Sequence, residues 1–198
     1  MLNELQHEDC LGKQLFIMGD VNTGKTTLCR RWLVQLCQQG LGERIALVDM
    51  APHIPRALAL ERGIVGAGGS LIPPPESGVL DLRTYLDAPR LSSTSEAEAM
   101  AKAVRNVQAI EALLEQLVGS GRDILFINDV TLYLQAGFAT ELLTHITKAS
   151  IKTLVVNAYW GERLGGGELT RREKTETQRL RQFFELGGRV VELTHCYR

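Results

Sequence analysis

The stretch that most constrains this chain is Leu15-Phe16-Ile17-Met18-Gly19-Asp20-Val21-Asn22-Thr23-Gly24-Lys25-Thr26-Thr27. An apolar run of strand formers enters a glycine turn, and the turn leads directly into Leu28–Leu36, where apolar residues recur at helical spacing. Gly19 to Thr26 meets the spacing G-x-x-x-x-G-K-[ST] in the strand-to-helix setting that this motif requires. Glycines at 19 and 24 let the backbone wrap a phosphate, so that successive N–H groups point inward as an anion nest. The helix starting near Gly24 adds the positive end of its dipole. Lys25 then lies against the β- and γ-phosphates, and the Thr26 hydroxyl is placed to ligate Mg²⁺.

The loop resembles that of the P-loop NTPase superfamily, which makes Gly19, Asp20, Val21, Asn22, Thr23, Gly24, Lys25, Thr26 and Thr27 the candidate nucleotide-binding residues. The apolar run 124–127 followed by Asn128-Asp129 resembles the Walker B element. In that family such a strand lies beside the P-loop strand, and its acid holds Mg²⁺ or a water on it, which implies Asp129 for the metal. Asp49, which ends the strand predicted over 44–49, is the rival. In several P-loop kinases and in the dimeric SIMIBI NTPases an acid there serves the metal or polarises the attacking group. Both acids are therefore candidates for metal and catalytic roles beside Lys25, one on Mg²⁺ and the other as base or water positioner. Guanine-specific members carry N-K-x-D on the strand corresponding to 153–159. Here Asn157 matches, but Ala158-Tyr159-Trp160 supplies neither lysine nor aspartate, so ATP is favoured over GTP. Tyr159 or Trp160 is then a candidate to stack on the base. The loop also resembles that of Clp1-type polynucleotide kinases, and Asp49 suits that family. The strand order, with Asp49 ending the strand after the first helix, is similar to the SIMIBI class that includes metallochaperone GTPases and MobB-like proteins.

Along the rest of the chain, apolar runs alternate with helical patterns. The first helix is predicted to stop at Gly40 or Gly42, and 44–49 and 123–129 read as strands buried on both faces. Ser93 and Ser95, each followed three residues later by Glu, predict a helix running to Gly119 or Gly121. A helix over 134–148, a strand over 153–159, a helix opened by a capping box Thr170-Arg171-Arg172-Glu173 and a last strand over 189–194 complete the pattern. About five short apolar strands joined by helices predict a three-layer α/β/α architecture, a doubly wound and mainly parallel sheet. The whole of 1–198 reads as a single domain. Residues 51–94, punctuated by Pro52, Pro55, Pro73, Pro74, Pro75 and Pro89, are too apolar for a disordered loop and read as an ordered insertion over the active-site edge. Within it, short pieces at 56–62 and 79–86 suit helix or strand. Arg56, Arg62, Arg83 and Arg90 are candidates to read an anionic substrate, Gly66–Gly69 a second nest, and His53 a neighbour of Asp49. Glu162–Thr170 with Arg163, Arg171 and Arg172 is a candidate arginine-bearing lid.

Basic and acidic residues nearly cancel, 22 against 23, which argues against a duplex-DNA binder. No apolar run nears the roughly 20 residues of a membrane span. The N-terminal nine residues are acidic and lack the regions of a signal peptide, so a cytoplasmic location is expected. Cys10, Cys29, Cys37 and Cys196 form no C-x-x-C pair and read as reduced structural thiols. The motifs leave three readings open. One is an enzyme that hydrolyses the triphosphate or passes its γ-phosphoryl group to an acceptor under the insertion. Another is a nucleotide switch binding a partner protein or a twin copy as a homodimer, and the third is an inactive nucleotide-binding module.

Overall fold

The computed structural model describes residues 10–194 other than Arg62, Gly66 and Gly165. The acidic segment 1–9, Cys196, the arginine at 62 and the glycines at 66 and 165 lie outside the described residues, as do the expectations that involve them.

The strand β1 (Gln14–Gly19) leads into α1 (Lys25–Gln38), and a short turn of 3₁₀ helix leads to β2 (Ile45–Asp49). The segment after β2 carries α2 (Arg56–Glu61), β3 (Leu80–Arg83) and α3 (Pro89–Ser92) before α4 (Glu96–Leu117). Next come β4 (Ile124–Asn128), α5 (Thr131–Leu134), α6 (Ala139–Lys148), β5 (Thr153–Tyr159), α7 (Glu168–Gly187) and β6 (Arg189–Leu193). All pairings are parallel, and the six strands lie in the order β3-β2-β4-β5-β1-β6.

Two readings of the sequence are corrected here. The sheet has six strands rather than about five, because the possible piece at 79–86 supplies β3. That strand pairs on one side only, buries Leu82 alone and carries Asp81 and Arg83, so it lacks the continuous apolar signature of its neighbours. The strand that ends before Asp129 is also not next to β1. β5 stands between them, and all seven of its residues are buried, as a central strand requires.

The alternation of side chains along the strands divides the core in two. Leu15, Ile17, Ile45, Leu47, Phe126 and Val155 face α1, which buries Leu28, Trp32, Leu33 and Leu36 against them. Phe16, Met18, Val48, Ile127 and Val156 face the opposite layer, built from α4 to α7. There Phe16 stacks on Phe184 with ring centroids 5.1 Å apart. The 51–94 segment is anchored in both layers, with Leu71 against the α1 side and Leu82 and Leu86 in the other core.

Three local differences have physical causes. The helix expected over 134–148 begins only at Ala139, as α6; α5 ends at Leu134, and between them lies Gly137, where a Cβ would stand 2.7 Å from the Tyr133 ring. The second piece is held by Glu176, whose carboxylate accepts from Ala139 N at 3.0 Å at the helix start. α7 opens at Glu168 after Gly167, not at Thr170, and Glu173 is not a capping residue but a buried one, 2% exposed. By contrast Ser95 does cap α4, accepting from Glu98 N at 3.2 Å. Among the described residues Cys10, Cys29 and Cys37 form no disulfide with one another. Among the described residues no helix is long and apolar enough to cross a membrane.

Phe184 is fully buried at the junction of α7 and β1. Phe184→Ala is expected to lower stability by about 3–5 kcal/mol, read as a fall in the denaturant midpoint at unchanged slope.

Candidate nucleotide-binding site

The topology locates the site. The chain leaves β1 for a helix on one face of the sheet and leaves β5, its neighbour, for a helix on the other face. A crevice must open between their carboxyl ends, which is where open α/β sheets hold ligands. A cleft of about 130 Å³ lies there, lined by Val21, Asn22, Gly24 to Thr27, Gly68, Gly69, Asp129 and Asn157 among others.

The loop has the backbone that the motif demands. Asn22 and Gly24 take left-handed conformations, φ 63° and 88°. A Cβ on Gly19 would come within 2.6 Å of the Leu193 carbonyl, so β6 excludes any side chain there. Lys25 Nζ donates to the Asp20 carbonyl at 2.7 Å, and burial pulls its pKa below the ordinary lysine value against the pull of Asp129 and Asp20. The Asp20 carboxylate accepts from Val21 N at 2.6 Å and faces Arg163 Nε at 3.8 Å.

Behind the loop, polar side chains from three neighbouring strands form one chain of hydrogen bonds. Thr26 donates its hydroxyl to Asn128 Oδ1 at 3.4 Å, and Asn157 Nδ2 donates to the same oxygen at 2.8 Å. Asn128 Nδ2 donates to Asp49 Oδ1 at 2.7 Å and to the Gly69 carbonyl at 3.0 Å. Asn157 Oδ1 accepts from Asp129 N at 2.9 Å. That bond holds Asp129 at φ 55°, a left-handed conformation unusual for a residue other than glycine and of the sort found at functional sites. The Asp129 carboxylate accepts from the Thr131 hydroxyl at 2.9 Å, and burial pushes its pKa up.

The candidate residues are therefore distributed as follows. Lys25, Thr26, Asp129 and Asn157 share the cleft with the loop. Asp49 does not line it: it is 3% exposed, accepts from Arg83 at 3.2 Å and reaches Thr26 through Asn128. Burial raises its pKa as well. Both amide ends of Asn157 are engaged in the chain, so they face the strand ends rather than a base. The Tyr159 ring is covered by Arg90, 5.4 Å from its centroid, while Trp160 packs against the core and donates its backbone N–H to Gly19. Gly68 and Gly69 of the expected second nest do face the loop, and Gly68, at φ 68°, leaves a Cβ only 2.9 Å from Ile54. His53 is exposed and stacks on Tyr85, 5.5 Å away. Arg171 pairs with Glu168, and Arg172 bonds the Ala136 carbonyl, so neither reaches the cleft.

Several contributing residues carried weak signals or none in the sequence. Asn128 is a polar residue inside an otherwise apolar buried run, a signal that went unused. Glu173 lies on the same helical stripe as Leu169, Glu176, Leu180 and Phe184, which marks it as inward-facing. It pairs with Arg90 at 2.9 Å and accepts from Gln135 at 3.2 Å. Arg90 itself is positioned by α4, where the Asn106 amide clamps both backbone groups of Asp87 at 3.0 Å.

No protein-family model matches the chain, and no curated protein matches it. Among solved structures it is similar to the Pif1 helicase from Candida albicans at 14% identity, covering 94% of this chain and 37% of that one, with a TM-score of 0.38. It is similar to the flagellar accessory protein FlaH from Methanocaldococcus jannaschii at 11% identity over 84% of this chain and 68% of that one, TM-score 0.42. A third is an ATPase from the type III secretion system of pathogenic bacteria, at 14% identity over 83% and 49%, TM-score 0.33. The chain thus spans little more than a third of the helicase. These likenesses are to a broad α/β layout and assign no role to any residue.

Burial lifts the Glu173 pKa from 4.5 to about 7, the neighbouring Arg90 opposing the shift. Between those values the folded chain binds a proton at Glu173 that the unfolded chain has released, so this group's contribution to stability is present at acid pH and is lost as pH rises toward 7. Melting temperature is expected to fall over that window, and Glu173→Gln is expected to flatten the fall, measured by thermal unfolding across pH.

Proposed function

We propose that this chain binds a nucleoside triphosphate, with ATP preferred, and cleaves its β–γ phosphoanhydride bond with the help of Mg²⁺, by hydrolysis or by transfer to an acceptor. The observation that carries the reading is the meeting of Lys25, Thr26 and Asp129 with the Gly19–Thr26 loop in one cleft at the sheet's switch point. Loop amides and the α1 N-terminus stabilise negative charge on the phosphates. Lys25 exchanges the Asp20 carbonyl for phosphate oxygen when the nucleotide enters. Asp129, with its raised pKa and its fixed backbone, takes the proton of the attacking oxygen.

The donor set suits Mg²⁺ rather than a transition metal. Thr26 offers a hard oxygen, and among the described residues no three His, Cys, Asp or Glu side chains form a cage. Mg²⁺ keeps several waters and leans on substrate phosphates, so few protein oxygens are needed. In this reading Thr26 would hold the ion, the Asp49–Asn128 pair behind it would orient the Thr26 hydroxyl, and Asp129 would be left for the proton. When bound, the ion neutralises charge developing on the phosphate oxygens.

A second reading, a nucleotide switch acting on a partner protein or in a homodimer, draws on the segment above the loop. Asn22 Nδ2 donates to the Val65 carbonyl at 3.0 Å, so a ligand in the cleft touches a segment that exposes Val65, Ile72 and Tyr85 by more than half.

Phosphate release from ATP and from GTP with Mg²⁺ tests the first reading. Lys25→Ala is expected to lose nucleotide binding, and Asp129→Asn to keep it while turnover drops by about 10²–10⁴-fold. Equal turnover in wild type and Lys25→Ala, or no binding of either nucleotide, overturns the proposal.

A further inference from the structure

Three backbone carbonyls of one short segment accept from three side chains of the candidate site. Asn22 of the loop donates to the Val65 carbonyl at 3.0 Å, Asn128 to that of Gly69 at 3.0 Å, and Arg83 to that of Leu71 at 2.9 Å. Two of these donors belong to the bonds behind the loop, Asn128 directly and Arg83 through Asp49. Ala67, Gly68 and Gly69 are thereby held as a wall of the cleft that also contains Lys25 and Thr26. Gly68 stands, with Asp129, on a smaller second cleft beside Arg90 as well.

The segment turns acceptors to the protein and keeps donors. The Ala67 N–H donates to the Ile64 carbonyl at 2.9 Å, whereas the N–H groups of Gly68 and Gly69 have no acceptor among the described residues. No side chain covers them, and at Gly68 none fits. Its φ is 68°, and a Cβ would stand 2.9 Å from Ile54 and 3.0 Å from the Pro52 carbonyl. Successive N–H groups about a left-handed residue, with the adjoining carbonyl engaged elsewhere, leave a partial positive charge suited to an anion.

Position decides which anion reaches them. Asn22 crosses from the loop to Val65 in one side chain, so a phosphate held by the loop lies within reach of both walls. Gly69 is fastened to Asn128, which also takes the Thr26 hydroxyl and precedes Asp129. In the reading above those residues serve the metal and the attacking oxygen, so this wall lies at the terminal phosphate and not at the sugar. Lys25 is the one cation among the described residues lining the cleft, and it belongs to the loop. On the 67–69 side, negative charge can be met only by backbone N–H groups.

We propose that the Gly68 and Gly69 N–H groups bind the γ-phosphate and make the site selective for a nucleoside triphosphate over the diphosphate, an inference that rests on the nucleotide reading above. A diphosphate engages the loop and Lys25 but leaves these two donors unmet. Hydrogen bonds to ionised phosphate oxygens are stronger than neutral ones, so the pair favours the triphosphate by about 10–100-fold. The bonds from Asn22, Asn128 and Arg83 hold the segment before nucleotide arrives, which lowers the cost of ordering it on binding. These three side chains are positioning residues for the two amides.

The two amides are themselves the readout, in heteronuclear NMR of protein carrying isotope-labelled glycine. Saturating β,γ-imido-ATP with Mg²⁺ is expected to shift the Gly68 and Gly69 resonances and to slow their hydrogen exchange. Saturating ADP with Mg²⁺ is expected to leave both near their free values. Calorimetry is expected to show the analogue bound about 10–100-fold more tightly than ADP. Gly68→Ala is expected to remove most of that ratio by weakening the analogue, with ADP affinity nearly unchanged. The same response of both amides to ADP and to the analogue overturns the assignment, and so does a folded Gly68→Ala protein with an unchanged ratio. If Gly68→Ala does not fold by circular dichroism, the wild-type resonances still decide. Lys25-dependent binding of nucleotide with no response at the two amides removes only this inference, whereas no binding removes the nucleotide reading and this inference with it.

Discussion

The bond between Asn157 Nδ2 and Asn128 Oδ1, 2.8 Å long and buried between adjacent strand ends, sets the orientation of every polar group behind the loop. With its oxygen turned to Asn157 and Thr26, Asn128 presents its nitrogen to the Asp49 carboxylate and the Gly69 carbonyl, both acceptors. Asn157 in turn presents its oxygen to the backbone N–H of Asp129, which can only donate. Neither amide can flip without setting like against like. An aspartate at 128 would oppose the Asp49 carboxylate in a buried place with no hydrogen between them, so the amide here follows from the acid on the neighbouring strand. The chain of bonds spans β2, β4 and β5 and ends on Asp129, which shares with Asn22 a left-handed backbone unusual for a residue other than glycine. An amide bond on the backbone rather than on the carboxylate holds that strain, which leaves the carboxylate exposed to two clefts at once.

What could be read from the sequence was whatever rests on local pattern. The glycine loop, the continuously apolar strands at 45–49, 124–128 and 153–159, and the serine cap of α4 all depend on neighbours in the chain and were legible to within a residue or two. The order of strands was not, because parallel sheets are joined by crossovers whose span leaves no mark in either strand. β4 and β5 are equally apolar, and only the long-range register shows that β5 pairs with β1. β3 was obscured for the opposite reason: an edge strand has one partner and one buried residue, so its pattern is that of a loop. The capping-box reading at Thr170 failed because Glu173 fits two patterns, a cap three residues on and an inward helical stripe. The tertiary demand of Arg90 decided for the second.

The same contrast explains the site. The loop residues that the motif marks are concentrated in one short stretch. The groups around Asp129 come from α3, from α5 and the turn after it, and from α7, up to 83 residues apart in the case of Arg90 and Glu173. A buried ion pair of this sort contributes little net stability, since desolvation offsets attraction, and burial already holds Glu173 near the middle of its titration. Its consequence is instead local. Glu173 accepts from both Arg90 and the Gln135 nitrogen, and so ties α3 and the end of α5 to α7 beside Asp129. The side of the cleft around Asp129 therefore depends on how α7 packs against α3 and α5, while the loop side depends on the local sequence between β1 and α1.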